Sequence, residues 1–444
     1  MDVLVLVDGE HYPPVTRWGI QAARTMGHRV VGALFVGGSE KIAGGGPPDL
    51  GVPTTVAGGP LGPAVADALD RVAPQAVLDL SDEPVLGYAE RMEVAAVTLA
   101  RGIPYLGPDF RLDPPVFGPP LDARTVAVIG TGKRTGKTAV SAEVARVAAE
   151  LGLRPVIVAM GRGGPPEPQV AEAGSVTVET LMELAASGRH AASDYLEDAL
   201  FSGVTSIGAR RCGGGLAGAP YVTNAREAAE LAVELGAGLV ILEGSGAAVP
   251  PVPWDAGILA VPAGLPPEHL WGYLGPFRLL LSDLVIVTMS AGPKSGPENL
   301  STLRSHVRRF HEDASLVATD FQPVPLVDVR GKAVYVATTA PGEAAAMQIA
   351  SVESNYGCRV VGWSNHLADR AELAADLREA GDYEVLLTEL KAAAVDVAAR
   401  TARERGAEVV FFENRPVDAG EPGRLRGHIE STLRLATDRY GNRT

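Results

Sequence analysis

The chain predicts an α/β protein built from parallel sheets, and three observations point there. Short apolar runs alternate with helix-period segments along nearly the whole length, the pattern of a parallel sheet covered by helices on both faces. A glycine-rich turn carrying Gly136-Lys137-Thr138 joins one apolar run to a helix. The 444 residues exceed one ordinary domain and set an expectation of about three.

The elements follow in order. Residues 2–7 (DVLVLV) read as a buried strand, 17–26 as a helix and 29–35 as the next strand. Residues 38–62 are a Gly/Pro-rich loop with one short strand. A helix at 62–73, a strand at 76–80, a helix at 90–101 and a short strand at 103–106 complete a Rossmann-like unit, assigned to 1–120. The run 108–120 holds five prolines and little periodicity, which marks the boundary.

A second α/β unit, 121–325, opens with strand 125–129 and helix 137–150. Strand 155–159, helices 178–187 and 190–201, and a short segment 204–207 follow. The glycine run Gly213–Gly215, helix 226–235 and strands 238–242, 257–261 and 283–288 finish it. Residues 326–444 repeat the alternation, with strands at 333–337, 359–363, 383–387 and 408–412. That extension is either a third domain or a continuation of the second sheet.

Composition narrows the function classes. Apolar residues are 46% and charged residues 21%, which excludes a disordered chain. A net charge of −14 argues against a nucleic-acid partner. Two cysteines, Cys212 and Cys358, exclude a disulfide framework and a Cys-rich zinc site. The N-terminal apolar run lacks a basic flank and reads as a strand, not a signal peptide. No uncharged 18-residue span exists, so no membrane helix is expected and the cytoplasm is the expected compartment. A homodimer is the expected assembly, as the commonest among soluble proteins.

The strongest motif is strand TVAVI followed by Gly130-Thr131-Gly132-Lys133-Arg134-Thr135-Gly136-Lys137-Thr138-Ala139 and a helix. Glycines let successive backbone N–H groups turn inward around phosphate oxygens, and the helix N-terminus adds partial positive charge. Lys137 is placed to reach the β and γ phosphates of ATP, and Thr138 to ligate Mg²⁺. Lys133 and Arg134 add cationic contacts. The common G-x-x-x-x-G-K-[ST] spacing is broken, because Thr131 stands where its first glycine belongs. The spacing found here resembles that of dethiobiotin synthetase and its relatives, enzymes that use ATP to activate an acid.

A second motif, GLVILEGSG at 238–246, is an apolar strand ending in Glu243. A carboxylate at that edge of a sheet, beside a phosphate loop, suits a second Mg²⁺ ligand. On the acceptor side, Arg210 and Arg211 precede Gly213 and Gly214 and offer an anion cradle of guanidinium and backbone donors. Arg162, after strand 155–159, is expected in the same cleft because that strand should neighbour the phosphate-loop strand. His190 and Asp194 lie in HAASDYLEDAL. Asp8, Glu10 and His11 end the first strand, where ligands of open parallel sheets bind. Thr388 and Glu389 suit the cap and first turn of a helix, while Lys391 is unexpected there and points to an anionic ligand. For several of these, ordinary turn chemistry is an equal explanation.

Taken in order, DGEHYPP, GTGKRTGKTA, HAASDYLEDAL, ARRCGGG, ILEGSG and TELKAAAVDV resemble the cyclic 2,3-diphosphoglycerate synthetase family across nearly the whole chain. The resemblance implies ATP-driven closure of 2,3-diphosphoglycerate into its cyclic anhydride, with release of ADP and phosphate. It implies Mg²⁺, is consistent with a K⁺ requirement, and puts Lys137, Glu243, Arg210 and Arg211 in catalytic roles. Two other classes stay open. One is a different ATP-dependent acid-activating ligase or phosphoglycerate kinase-like enzyme. The other is a nucleotide-switched assembly or maturation factor, which the lack of a metal-binding His or Cys tract disfavours.

Overall fold

The computed structural model describes residues 1–38, 47–266, 268–271, 274–291, 297–420 and 422–443. Two sheets organise it. The first has six strands in the order 54–56, 29–35, 2–7, 76–79, 105–106, 111–112. All its pairings are parallel except the last. Strand order reverses direction between Asp2–Val7 and Ala76–Asp79, and Asp8 and Asp79 both sit at that switch point. Residues 39–46 of the expected Gly/Pro-rich loop lie outside the described residues; its short strand is Thr54–Val56.

The second sheet has thirteen strands. Its order is 222–223, 206–212, 155–161, 239–243, 124–130, 256–262, 284–288, 315–325, 408–418, 385–388, 333–337, 359–364, with Gln169–Ala171 pairing beside Ser206–Cys212. Pairing is parallel from 206–212 through 315–325. It switches to antiparallel at Ser315–Pro325 against Glu408–Asp418, then is parallel again. The C-terminal strands therefore continue the phosphate-loop sheet. The last helix, Arg424–Arg443, folds back on it, with Leu425, Ile429, Leu433 and Ala436 packed among Val126, Val128 and Ile258.

The central strands are apolar on both faces, as a helix-covered parallel sheet requires. Val126, Val128, Ile129, Val240, Ile241, Ile258 and Leu259 are all fully buried. Each such side chain contributes about 1.5–3 kcal/mol relative to exposure. The edges carry function because their backbone ends, not their cores, face solvent.

One expectation about order is corrected. Strand Pro155–Gly161 does not neighbour the phosphate-loop strand Arg124–Gly130; Leu239–Glu243 lies between them and pairs with both. This insertion puts Glu243, not Arg162, directly beside the phosphate loop. The N-terminal unit docks through helix Tyr88–Ala100, whose Val94 and Val97 pack in one cluster with Ala217, Leu274 and Phe277. Arg309 closes the contact with a 2.5 Å ion pair to buried Glu93. Among the described residues, no helix is long and apolar enough to cross a membrane.

Asp255 ties the ends of the second unit together. Its carboxylate accepts from Thr125 N (2.8 Å) and Thr125 Oγ1 (2.9 Å) and pairs with Arg443 Nε (3.0 Å). Asp255→Ala leaves the two Thr125 donors without this acceptor and strips Arg443 of its counter-ion, though Arg443 Nη2 still donates to Leu121 O and Ala123 O. Chemical denaturation of the variant should show a stability loss of about 3 kcal/mol; a loss below about 1 kcal/mol would mean the final helix does not depend on this pairing.

Candidate functional site

The phosphate loop spans the end of strand Arg124–Gly130 and the start of helix Lys137–Glu150. Two glycines are dictated by close approach. A Cβ at Gly130 would sit 2.4 Å from Thr135 Oγ1 and 3.1 Å from Lys137 Cδ. A Cβ at Gly136, which has φ +88, would meet the Phe321 ring at 2.4 Å. The glycine displaced from the usual position is thus needed at 130, where the chain folds back under Thr135. Lys137 is buried, and its Nζ donates to Gly132 O (2.9 Å) and Thr135 Oγ1 (3.4 Å). Lys133 and Arg134 are exposed, and Arg134 takes φ +62, in the left-handed region costly for a long side chain. Thr135 O accepts from Thr288 Oγ1 (3.0 Å), which pins the loop to a neighbouring strand. Ala139 continues the helix behind them.

Thr138 and Glu243 come together as the motifs predict. Thr138 Oγ1 donates to Glu243 Oε1 at 2.8 Å, while Glu243 Oε2 is buried without a hydrogen-bond partner. Burial lifts the Glu243 pKa to about 7, and Asp194 pushes the same way against Thr138, Lys137 and Ser141. Behind it lies Asp198, fully buried, with neither carboxylate oxygen partnered. Burial, then Glu243, then Glu197 and Asp194 hold its pKa well above the carboxylate range. The donor set is one hydroxyl and carboxylate oxygens, which suits a hard oxygen-seeking cation such as Mg²⁺. The unpartnered oxygens are those a cation would satisfy.

Asp194 is the hub of the acceptor side. It starts helix Asp194–Ser202 in a recess bounded by Gly161, Gly163, Gly164, His190 and Tyr195. Protein crowding raises its pKa, and four cations oppose that: Lys137, Lys391, His190 and Arg162. Four residues singled out from separate stretches of sequence thus converge on one carboxylate. Lys391 arrives from the C-terminal region and pairs with Glu197 Oε1 at 3.4 Å; Glu197, first, and Glu389 raise its pKa. Lys391 meets a protein anion here, so its oddity in a first turn is answered by Glu197.

Three expectations change. Arg210 and Arg211 are not in the glycine turn: pairing with Val222–Thr223 extends strand Ser206–Cys212 through them. Alternation then sends them apart. Arg211 Nη2 donates to Ser245 O (2.9 Å), beside Glu243, and its Nη1 to Gly213 O (2.6 Å), with Gly214 adjacent. Arg210 is exposed, and its Nε donates to Gly164 O (2.7 Å). The pair is not one cradle. Next, Thr388 caps no helix and Glu389 opens none: Thr388 ends strand Val385–Thr388, Glu389 is buried and accepts from Thr338, Thr339 and Asn414, and a π-helical turn, Ala394–Ala399, follows further on. Last, Asp8 spends its oxygens on Glu10 N, His11 N, His11 Nδ1 and Asp82 N, a polar turn across the switch point of the first sheet.

Asp198 and Glu197 were not selected from the sequence. Their signal is the spacing Asp194, Glu197, Asp198, which places three carboxylates on one helix face, with Glu197 and Asp198 buried and Asp194 at its exposed start.

Three variants test this geometry. Arg211→Ala should lower kcat/KM by about 100-fold or more, and Arg210→Ala by less than about tenfold. Equal losses would mean that strand alternation does not divide their roles. Gly136→Ala should abolish binding of an ATP analogue by calorimetry, since φ +88 and the Phe321 ring both oppose a side chain there.

Comparison with known proteins identifies the family that the chain resembles. The model for the cyclic 2,3-diphosphoglycerate synthetase P-loop domain matches residues 125–320. Those for the C-terminal and N-terminal domains of the same synthetase match 325–415 and 2–113. A curated relative from Rubrobacter xylanophilus, named cyclic 2,3-diphosphoglycerate synthetase, is 45% identical over 96% of both chains. One of the same name from Methanothermobacter thermautotrophicus is 43% identical over 94% of this chain and 92% of its own. Another from Methanothermus fervidus is 40% identical over 99% and 98%. Among solved structures, LpxK from Aquifex aeolicus in complex with ATP aligns at 14% identity over 72% of this chain and 90% of its own, with a TM-score of 0.42. With phosphate loop, acid pair and acceptor recess in place and matches along nearly its whole length, the chain belongs to the cyclic 2,3-diphosphoglycerate synthetase family.

Proposed function

We propose that this chain closes 2,3-diphosphoglycerate into its cyclic anhydride at the expense of ATP, releasing ADP and inorganic phosphate. The carrying observation is a phosphate loop with Thr138 bonded to Glu243, beside a glycine-walled recess that His190 and Asp194 line together, with Lys137, Arg162 and Lys391 in electrostatic reach of Asp194, in a chain of net charge −14. Cations concentrated there answer a reaction whose two substrates are both polyanions.

The chemistry runs in two displacements. An oxygen of one substrate phosphate attacks the γ phosphorus of ATP, and the bond to the β-phosphate oxygen breaks, releasing ADP. The other substrate phosphate then attacks the phosphorus attached to the glycerate, and inorganic phosphate leaves. No strong general base is required, because each attacking oxygen is already anionic. Lys137 neutralises the transferred group, and the backbone of residues 130–136 cradles the nucleotide phosphates. Thr138 and Glu243 would hold Mg²⁺, which supplies charge neutralisation when bound. Arg211, fixed by Ser245 and Gly213, faces the departing charge. Arg162, His190 and Lys391 orient the acceptor beside the recess lined by Gly161, Gly163, Gly164 and Asp194.

The finer parts of the reading are these. Residues 1–120 form a Rossmann-like unit that walls the cleft, with Asp8, Glu10 and His11 on its rim. Residues 121–325 carry the chemistry, and 326–444 deliver Lys391. The enzyme works as a cytoplasmic homodimer and uses K⁺. Both cysteines being free is consistent with that compartment.

Phosphorus NMR of the protein with ATP, Mg²⁺, K⁺ and 2,3-diphosphoglycerate tests the proposal. A coupled pair of anhydride signals on the glycerate, alongside ADP and phosphate, is the expected spectrum. ATP hydrolysis with no new anhydride would discard this acceptor and leave only the nucleotide site.

A further inference from the structure

Arg278 takes no part in the cycle above, yet it lies within electrostatic reach of Lys137 and lowers that lysine's pKa. It belongs to helix Gly275–Leu280 and is only 4% exposed. Its guanidinium donates to Ala247 O through Nε (3.0 Å) and Nη2 (2.5 Å), to Leu216 O (3.4 Å) and to Leu274 O (3.4 Å). Every one of these acceptors is a backbone carbonyl. Among the described residues no carboxylate forms an ion pair with it. Burial alone brings its pKa down to about 10. An arginine carries five N–H donors, so one on Nη1 is left over by these four bonds.

That side chain lines a cavity of about 210 Å³, together with Thr131, His269 and Gly275. Thr131 is the residue that stands in place of the usual first glycine of the phosphate loop. Its Oγ1 is buried and has no hydrogen-bond partner. Two independent features thus face one space: a buried cation without a countercharge, and an unsatisfied hydroxyl. Holding carbonyls alone does not require a charge, and a buried charge without a partner is unfavourable. An anion in the cavity satisfies both groups. Arginine suits a phosphate or carboxylate, which its fork can grip with two bonds.

We propose that this cavity is an oxyanion subsite, in which Arg278 and Thr131 hold a phosphate or carboxylate group of the acceptor substrate. The subsite follows from the cavity itself; only the name of the acceptor rests on the function proposed above. The same guanidinium holds Ala247, four residues after Glu243, and Leu216, just after the glycine run. Acceptor binding is therefore coupled to the two loops that follow the strands bearing Glu243 and Arg211. The N-terminal unit packs on the other residues of this helix, Phe277 among them, so it closes over the element that presents Arg278.

The test uses the full chain with Arg278→Gln and Thr131→Val, measured by calorimetry against 2,3-diphosphoglycerate and, separately, a non-hydrolysable ATP analogue. Arg278→Gln should weaken the diphosphoglycerate by about tenfold or more and leave the ATP analogue within about twofold, and Thr131→Val, which lies in the phosphate loop, should weaken the diphosphoglycerate by at least about fivefold more than the ATP analogue. The ligand-free melting temperature of Arg278→Gln should hold or rise, because a buried charge has been removed. Equal weakening of both ligands, or unchanged acceptor affinity in both variants, would overturn the subsite and leave Arg278 as a clamp on backbone carbonyls. If Arg278→Gln does not fold, Thr131→Val decides by the same two affinities. Comparing 2-phosphoglycerate, 3-phosphoglycerate and glycerate on the wild type and Thr131→Val assigns the group held, phosphate or carboxylate. If the wild-type protein binds no 2,3-diphosphoglycerate, the proposed function fails on its own. The subsite then stands or falls on whether inorganic phosphate stabilises the wild type against heat more than Thr131→Val.

Discussion

The site is organised by one electrostatic constraint: a buried lysine and a buried acid pair at the carboxyl edge of the central strands. Lys137 is desolvated, Glu243 and Asp198 are desolvated, and no direct bond between lysine and acids cancels the charges. Burying such groups is unfavourable unless they are paired. The protein meets that cost by lifting the acid pKa values and lowering that of Lys137. The surrounding scaffold supplies what the site cannot, namely the apolar burial of strands 124–130, 239–243 and 256–262, which keeps those groups fixed while unsatisfied.

Topology explains why the remaining residues reach this point. Because the sheet runs on through the antiparallel pairing of 315–325 with 408–418, the last hundred residues are fastened to the phosphate-loop unit edge to edge. Their helices then lie against helix Asp194–Ser202, in a shared cluster that includes Tyr195, Leu196, Leu390 and Val395. Lys391 is carried into reach of Glu197 and Asp194 by that packing. The N-terminal unit is attached differently, through a helix–helix contact and the Glu93–Arg309 pair, and its own polar turn at Asp8 is satisfied internally. The two outer units thus relate to the centre in unequal ways. One contributes a cation directly, and the other presses on the helix that bears Arg278.

The sequence carried the chemistry of single segments further than their mutual arrangement. Gly136-Lys137-Thr138 and the terminal acid of GLVILEGSG declare themselves, because a phosphate cradle and a metal ligand demand those residue types after a strand. The division of Arg210 from Arg211 was not legible. It depends on Val222–Thr223 pairing back onto the strand, a long-range contact that no local pattern announces. The insertion of strand 239–243 beside the phosphate loop is also long-range, and so the expected place of Arg162 shifted. Thr388 and Glu389 looked like the cap and first turn of a helix because Thr-Glu after a strand has that meaning locally; the partners of Glu389, namely Thr338, Thr339 and Asn414, lie far away in the chain. Arg278 gave no signal at all, since one arginine in GPFRLL reads as the polar side of a short helix.

The constraint stated at the outset also accounts for why neither ligand alone completes the site. The loop amides, Lys137 and Arg211 call for anions, while Glu243 and Asp198 call for a cation. A bare nucleotide would bring its phosphates close to unsatisfied carboxylate oxygens, and a bare cation would be drawn to the acids while adding to the positive charge of Lys137. A metal–nucleotide complex supplies both signs at once, with Thr138 at the junction because its hydroxyl is already bonded to Glu243. In the proposed cycle the acceptor then meets the guanidinium groups of Arg162 and Arg211, while Lys391 is paired with Glu197. The substrate's two phosphates repel each other, and bringing them into one ring requires cations on both sides of the bond being made. A single lysine cannot do that. Cations presented from separate strands and loops can, and the large continuous sheet is what carries Lys137, Arg162 and Lys391 into electrostatic reach of one carboxylate, Asp194, with Arg211 in reach of it too.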